Sequence, residues 1–164
     1  MTKAHGPLFN VGFRRRRQGI TDYATRLNLL KADTPRAVIR KSNKLVLVQI
    51  VEYGLEGDKT ICQASSKELS KYGFDGKCNT PSAYLTGLLA AKKAAAKGVK
   101  NVVADVGRQT ATKGGIIFAC IKGIADGGVQ IPLGEEILPA AQRIEGGHLK
   151  GKEKFSESKK KILG

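Results

Sequence analysis

The chain has few of the residues that disulfide frameworks, metal sites and redox chemistry require. Its 164 residues include three cysteines, two histidines, one methionine and no tryptophan. Cys62, Cys78 and Cys120 are odd in number and far apart, and no two are spaced as C-x-x-C. This pattern argues against a disulfide framework and against a zinc site. We expect reduced cysteines that act as small, partly buried residues, and we expect no cofactor and no metal.

Long apolar runs are also missing from the sequence. No run approaches the roughly 20 residues that a membrane span needs, and the first residues, MTKAHGPLFNVG, contain no apolar signal core. We therefore expect a soluble, cytoplasmic protein without a membrane partner.

Acidic residues are scarce relative to basic ones. Lys and Arg number 29 against 14 Asp and Glu, which gives a net charge of +15, while 41% of the residues are hydrophobic. Residues 1–44 carry +9 and residues 150–164 carry +4, so the 105 residues between them carry only +2. A nearly neutral folded centre with basic ends favours a polyanionic partner, and nucleic acid is the first candidate.

The pattern of apolar residues predicts one α/β domain. Strands are predicted at 36–40, 45–53 and 59–65, followed by a helix through SAYLTGLLAAKKAAAK, a short strand in VKNVVADV and a helix over IIFACIKGIADGG. A candidate last strand covers 129–131. This order predicts a mixed β-sheet backed by helices on one side. We expect a basic N-terminal arm over 1–19, a globular domain over 20–132 and an irregular basic C-terminal extension over 133–164, whose last part is too polar to be buried.

Helical periodicity makes three further predictions about burial and capping. A short amphipathic helix that ends before Pro35 is predicted to dock on the domain and anchor the arm. The second helix is predicted to begin at a Thr80 cap with Pro81 in the first turn, and Gly98 is predicted to stop it. The residues expected on buried faces are Ile20, Tyr23, Ala24, Leu27 and Leu30 in the first helix, Tyr84, Leu85, Leu88, Leu89 and Ala95 in the second, and Ile117, Cys120, Ile121 and Ile124 in the third.

Four consecutive arginines, Arg14, Arg15, Arg16 and Arg17, form the most concentrated basic segment. One interpretation is a solvated charge run or a localisation signal. The other is an extended arm between phosphate chains, in which Arg14 and Arg16 face one RNA strand and Arg15 and Arg17 another. Guanidinium groups form bidentate phosphate bonds and stack on bases, which favours the second interpretation.

A second basic patch is predicted on the first strand and the turn after it. Arg36 and Arg40 alternate onto the same face, and the turn adds Lys41, Asn43 and Lys44. A sheet face lined with such residues suits an RNA backbone, although exposed arginine on an edge strand also serves to prevent aggregation.

Two further candidates have both structural and RNA-binding interpretations. Asn79 and Thr80, with Ser82 and Thr86, could hold a phosphate at a helix N-terminus, and plain capping explains Thr80 equally well. Tyr23 is expected in the core because it lies on the apolar stripe, with its hydroxyl at the edge within reach of a phosphate.

The sequence offers little for catalysis. Asp58 interrupts the Gly-Lys pair of a phosphate-binding loop, and neither His5 nor His148 has a framework to orient it as a base. Two-metal nucleases related to ribonuclease H share the predicted order of elements, but they need converging carboxylates. Asp105 alone cannot hold two magnesium ions, so we expect it to cap or to pair with Arg108. A metal-dependent RNA-processing nuclease is kept as the alternative function, and a general RNA-annealing or chromatin-like basic protein as a third class.

Several motifs in order resemble the archaeal and eukaryotic branch of the large-subunit ribosomal protein family numbered eighteen. They are FRRRRQGITDYATRLNLL, PRAVIRKSNKLVLVQIV, GDKTICQASSKELSKYGF, NTPSAYLTGLLAAKKA, ADVGRQTATKGGIIFACIKGIADGGVQIP and RIEGGHL. The similarity covers nearly the whole chain, and the short C-terminus is similar to that of the archaeal members.

The resemblance implies a non-enzymatic protein of the ribosome. It implies a ribonuclease H-like topology without an active site, and a place in the central protuberance among 5S rRNA, 23S rRNA and neighbouring large-subunit proteins, with no homo-oligomer. It also implies that the arm passes between RNA elements and contacts them with Arg14 to Arg17, Tyr23 and Arg26. For the loop GRQTATKGG, which includes Arg108, it implies contact with RNA or protein.

Overall fold

A computed structural model describes residues 6–149 and 152–164, and the side chains of Lys152 and Glu153 lie outside the description. The helices are α1 (Arg14–Arg17), α2 (Tyr23–Leu30), α3 (Thr80–Ala95), α4 (Ile116–Asp126), α5 (Ala141–Ile144) and α6 (Lys152–Leu163), with 3-10 helices at Ser66–Tyr72 and Glu135–Ile137. The strands are β1 (Arg36–Lys41), β2 (Val46–Glu52), β3 (Lys59–Ser65) and β4 (Val103–Asp105).

The four strands form one mixed sheet in the order β3-β2-β1-β4. β1 and β2 are antiparallel, as are β2 and β3, whereas β4 runs parallel to β1. This confirms the predicted mixed sheet and places the first three strands within one residue of their predicted bounds. The predicted strand at 129–131 is reduced to a single parallel bridge between Asn101 and Gln130.

One face of the sheet is covered by α3 and α4. Ala37 and Ile39 of β1 and Val48 and Ile50 of β2 are fully buried there, because alternate residues of a strand point to the same face. The predicted buried face of α4 is confirmed at all four positions. On α3 the prediction holds except at Ala95, which is exposed, and Ala94 is buried instead.

α3 and α4 cross at glycines that allow their backbones to touch. A Cβ atom at Gly87 would lie 2.2 Å from the carbonyl oxygen of Cys120, and one at Gly123 would lie 2.1 Å from that of Tyr84. Neither position can accept a side chain without moving a helix. The two glycines therefore set the distance between α3 and α4.

The start of α3 differs from the prediction in which residue caps it. The Asn79 side-chain oxygen accepts a hydrogen bond of 2.9 Å from the backbone N–H of Ser82. Thr80 is the first helical residue and is buried. An amide side chain reaches the free N–H groups of the first turn as well as a hydroxyl does, so Asn79 takes the capping role predicted for Thr80. Gly98, with φ of +80°, lies just beyond the end of the helix as predicted.

The C-terminal residues fold as a helix where an irregular, unburied stretch was predicted. In α6, Phe155, Ser158 and Ile162 are buried against α3 and the 3-10 helix Ser66–Tyr72. The Phe155 ring lies 5.8 Å from the ring of Tyr84, and the Ser158 hydroxyl donates to the Tyr72 carbonyl. Spacings of three and four residues place these side chains on one helical face, so few apolar residues suffice to bury it.

The cysteines are small core residues, as the sequence suggested. Cys62 and Cys120 are buried and Cys78 is partly buried. Burial raises the pKa of the Cys120 thiol to about 12, and it also raises the pKa of Cys62. Both thiols are therefore protonated at neutral pH.

Over residues 6–149 and 152–164, no helix combines the length and the apolar character needed to cross a membrane.

Candidate nucleic-acid interface

The four arginines form a single helical turn, α1, and all four are exposed. The backbone N–H of Arg17 donates to the carbonyl of Phe13, and that of Gln18 donates to the carbonyl of Arg14. The predicted extended arm is therefore wrong here, because the turn satisfies backbone groups that an extended segment would leave to water. Successive guanidinium groups point about 100° apart around the axis, rather than alternately to two sides.

The helix after the turn, α2, begins at a well-formed cap. Asp22 accepts hydrogen bonds from the backbone N–H groups of Ala24 and Thr25 and from the Thr25 hydroxyl. These bonds, first of all the one from the Thr25 backbone, lower the pKa of Asp22 below its ordinary value. Arg15 adds a further link, since its Nε donates to the hydroxyl of Thr21 at 2.8 Å.

The predicted apolar stripe of α2 does not face the domain. Ile20, Tyr23, Ala24 and Leu27 are exposed, and Leu27 is 57% exposed. Of the stripe, only Leu30 is partly buried, and the other two half-buried residues of α2 are Arg26 and Leu29. The side of α2 that faces the domain carries Arg26 as well as leucines, because Arg26 pairs there with the carboxylate of Asp58.

An ionic cluster links α2 to the sheet. Asp58 accepts from Arg26 at 2.9 Å and from Arg36 at 2.7 Å. Asp105 accepts from Arg36 at 2.8 Å and from Arg40 at 3.2 Å. The Arg36 side chain is only 3% exposed and that of Asp105 only 9%. We call these five residues the arginine–carboxylate cluster, and it attaches the helix that follows the arm to β1, β4 and the turn before β3.

This cluster corrects two sequence predictions. Arg36 and Arg40 do share a face of β1, but Arg36 is buried and neutralised and does not project as part of an open basic patch. Asp105 pairs with Arg36 and Arg40, not with Arg108, which is exposed. The reason is that β4 lies beside β1 in parallel, with Val38 opposite Asp105, so the arginines on either side of Val38 reach the carboxylate.

A small cavity brings basic residues of three elements together. Its volume is about 160 Å³, and its lining includes Arg15 of α1, Arg26 of α2 and Arg40 of β1, with Asp22 and Asp105. The arm and the sheet therefore share one surface, whereas the sequence analysis predicted two separate basic patches.

The hairpin turn after β1 lies next to the loop that follows β4. Lys41 is the last residue of β1 and not part of the turn, but it is exposed as predicted, and so are Asn43 and Lys44 in the turn. The Lys41 backbone exchanges two hydrogen bonds with the side-chain amide of Gln109, at 3.1 and 2.9 Å. This contact places the loop with Arg108 beside the basic turn. Nothing in the sequence marked Gln109, because its partner is 68 residues away.

Asn79 and Thr80 lie on the helix-covered side of the sheet, away from the arginine–carboxylate cluster. The Asn79 oxygen is occupied by its cap bond and Thr80 is 5% exposed.

Phe13 was not predicted as a site residue, but it is 71% exposed and its ring contacts that of Tyr23, with the ring centroids 5.3 Å apart. Tyr23 is itself 37% exposed, so its predicted place in the core is wrong.

The carboxylates near the arm are not arranged as a metal centre. Both oxygens of Asp105 are occupied by guanidinium groups, and one also accepts from the backbone N–H of Gly107. Among the residues that the structure describes, no three His, Cys, Asp or Glu side chains are grouped as they would be around an ion.

Known proteins resemble this chain over most of its length. A family described as "Ribosomal large subunit proteins 60S L5, and 50S L18" matches residues 8–103. A protein of Methanoregula boonei named "Large ribosomal subunit protein uL18" is 50% identical over 89% of this chain and 84% of its own length. Proteins of the same name from Methanobrevibacter smithii and Korarchaeum cryptofilum are each 48% identical, over 89% and 86% of this chain and 76% and 73% of their own lengths.

The fold, the exposed arginines and these relatives define a structural protein of the ribosome, not an enzyme. Within that class, the chain belongs to the uL18 family of the large subunit, in its archaeal form.

Proposed function

We propose that this protein binds 5S rRNA and helps to attach it to 23S rRNA in the central protuberance of the large subunit, where neighbouring ribosomal proteins also contact it. As a member of this family it works in the cytoplasm, within the ribosome. The observation that carries the proposal is the turn α1. Its four arginines are exposed, and in the described part of the chain none of them is paired with a carboxylate.

The proposed RNA surface combines the arm, the cluster and the basic turn. Arg26 and Arg40 are each about 40% exposed at their side chains even though each contacts a carboxylate. They retain N–H groups for phosphate oxygens. The residues proposed to contact RNA are Arg14, Arg15, Arg16, Arg17, Tyr23, Arg26, Arg40, Lys41, Asn43, Lys44 and Arg108. Arg36, Asn79 and Thr80 are not part of this surface: Arg36 pairs with Asp58 and Asp105, Asn79 caps α3, and Thr80 is buried.

Two structural expectations are part of the same proposal. The order of three antiparallel strands, a helix and then a strand parallel to the first supports a ribonuclease H-like topology. The division into an RNA-binding arm over 1–19, a globular domain over 20–132 and a C-terminal extension over 133–164 also belongs to the proposal. It is supported by the excess of positive charge towards the two ends, +9 over residues 1–44 and +4 over residues 150–164.

The test replaces Arg14 to Arg17 together by alanine and measures the affinity for transcribed 5S rRNA against salt concentration. Each phosphate that a basic residue neutralises releases a counterion, so the log–log slope should become shallower by roughly 3 to 4. Thermal unfolding should be unchanged because the turn is exposed. A variant with four lysines at the same positions is the control, since it keeps the charge and should keep the slope. An unchanged slope in the alanine variant removes the arm from the mechanism.

Competition between nucleic acids separates this function from general binding to polyanions. At physiological salt, 5S rRNA should displace duplex DNA of equal length far more readily than the reverse. Equal affinities would instead indicate a general RNA-annealing or chromatin-like protein.

A further inference from the structure

Two aromatic rings are exposed at the base of the arm, directly beside the arginines. Phe13 is 71% exposed and Tyr23 is 37% exposed, and their rings are tilted by 53°. Most other rings of this chain are used in packing, as Tyr84, Phe74 and Phe155 are. Leaving two adjacent rings in water forgoes the free energy of burying them. An exposed aromatic pair of this kind marks a contact surface.

The charges around the pair favour RNA as the molecule that covers it. Arg14–Arg17 follow Phe13 directly, Tyr23 begins the helix that contains Arg26, and Asp22 is the one acidic residue between residues 6 and 32. The cores of protein–protein interfaces are depleted of charge. Binding sites for unpaired RNA, in contrast, combine cationic side chains for the backbone with aromatic rings for the bases.

We propose that Phe13 stacks on an unpaired base of ribosomal RNA while Arg14–Arg17 bind the phosphates on either side of that nucleotide. This inference rests on the proposed function and adds to it the kind of RNA that the arm selects. Bases inside an RNA duplex keep their faces covered by their neighbours, so only a loop, a bulge or a junction offers such a face.

The geometry assigns different roles to the two rings. Their centroids are 5.3 Å apart, and rings this close and this tilted leave no space for a base between them. The base must therefore lie on an outer face, and Phe13 offers the larger one. Tyr23 begins α2 and its ring contacts that of Phe13, so in the stacking it is a positioning residue that holds the Phe13 ring in place, and its proposed RNA contact is made by its hydroxyl.

The experiment measures the affinity of the full chain for transcribed 5S rRNA over a range of salt concentrations. Base stacking on an aromatic ring contributes about 1–3 kcal/mol, so Phe13→Ala should weaken binding by roughly 5- to 100-fold. The salt slope should stay the same because no charge is removed. Tyr23→Leu should weaken binding less.

Two control variants separate stacking from general apolar contact. Phe13→Tyr keeps an aromatic ring and should bind within about twofold of the unmodified protein. Val11→Ala removes apolar surface from a residue that is 61% exposed in the same segment, and it should bind as the unmodified protein does. The three side chains that these four variants change, Val11, Phe13 and Tyr23, are exposed, so thermal unfolding should be unaffected. The inference is overturned if Phe13→Ala binds as well as the unmodified protein, or if Val11→Ala weakens binding equally.

A second measurement keeps this inference separate from the proposed function. Single-stranded and duplex RNA 20-mers compete for the protein, and the single strand should win by a margin that Phe13→Ala reduces. If the unmodified protein fails to bind 5S rRNA, the proposed function fails, yet this preference still tests the stacking. If the unmodified protein does not prefer the single strand, or if Phe13→Ala keeps the preference, the stacking is overturned.

Discussion

At the scale of single residues, Asp105 is the carboxylate that joins two arginines of β1. Its carboxylate lies between Arg36 and Arg40, and Arg36 is almost completely buried. A buried guanidinium needs a negative partner because removing the charge from water is costly. Asp58 and Asp105 each provide one carboxylate oxygen to the Arg36 guanidinium, at 2.7 and 2.8 Å.

We predict that Asp105→Asn destabilises the fold. The amide keeps the size of the side chain but removes its charge, and breaking a buried pair in this way costs about 3–5 kcal/mol. Urea denaturation measures the change. The matched control is Asp75→Asn, because Asp75 and Lys77 are also 2.8 Å apart but more than 70% exposed. Such a surface pair contributes about 0–1 kcal/mol. Equal effects of the two variants would show that burial does not matter at Asp105.

At the scale of elements, the crossing of α3 and α4 depends on having no side chain at the contact. We predict that Gly87→Ala destabilises the protein, since its Cβ would lie 2.2 Å from the Cys120 carbonyl oxygen. Forcing the helices apart costs about 1–3 kcal/mol, and occasionally more, in a packed core. Thermal or urea unfolding measures it. Gly134→Ala is the control, because φ there is −88° and the nearest atoms are 4.0 Å away. It should be neutral, and a larger loss at Gly134 would contradict the argument.

The elements also show which features local sequence could predict. β1 and the buried face of α4 were predicted closely because alternation and helical spacing are properties of neighbouring residues. The partners of Arg36 could not be predicted in this way, since Asp105 is 69 residues away along the chain. The prediction of which side of α2 faces the domain was wrong for the same reason: Arg26 of α2 pairs with Asp58, which is also distant along the chain.

α6 and Phe13 were missed for different reasons. The overall polarity of α6 hid an apolar stripe of two side chains, Phe155 and Ile162, which becomes stable only on the surface that α3 provides. The exposure of Phe13 has no sequence signal beyond its position beside Arg14, because a phenylalanine near a helix is most often buried.

At the scale of the whole molecule, the two basic ends differ in how they relate to the core. In residues 6–17 every described side chain is exposed, so the N-terminal segment adds charge without contributing burial. The C-terminal helix α6 is also basic, but it buries Phe155 and Ile162 against α3. Similar composition therefore contributes to stability at the C-terminal end, whereas at the N-terminal end it leaves charge free for the RNA binding that we propose.

We predict that shortening the chain separates these two contributions. Removing residues 1–17 should leave the free energy of unfolding within about 1 kcal/mol of the full chain, because the described part of this segment, residues 6–17, is exposed throughout and exposed residues contribute little to stability. It should also strongly reduce the affinity for 5S rRNA. Removing residues 152–164 exposes the apolar surface of α3 that Phe155 and Ile162 cover, and each large buried side chain lost costs about 2–5 kcal/mol. Urea denaturation and RNA binding on both shortened proteins check this, and equal stability losses from the two truncations would refute the different roles of the two ends.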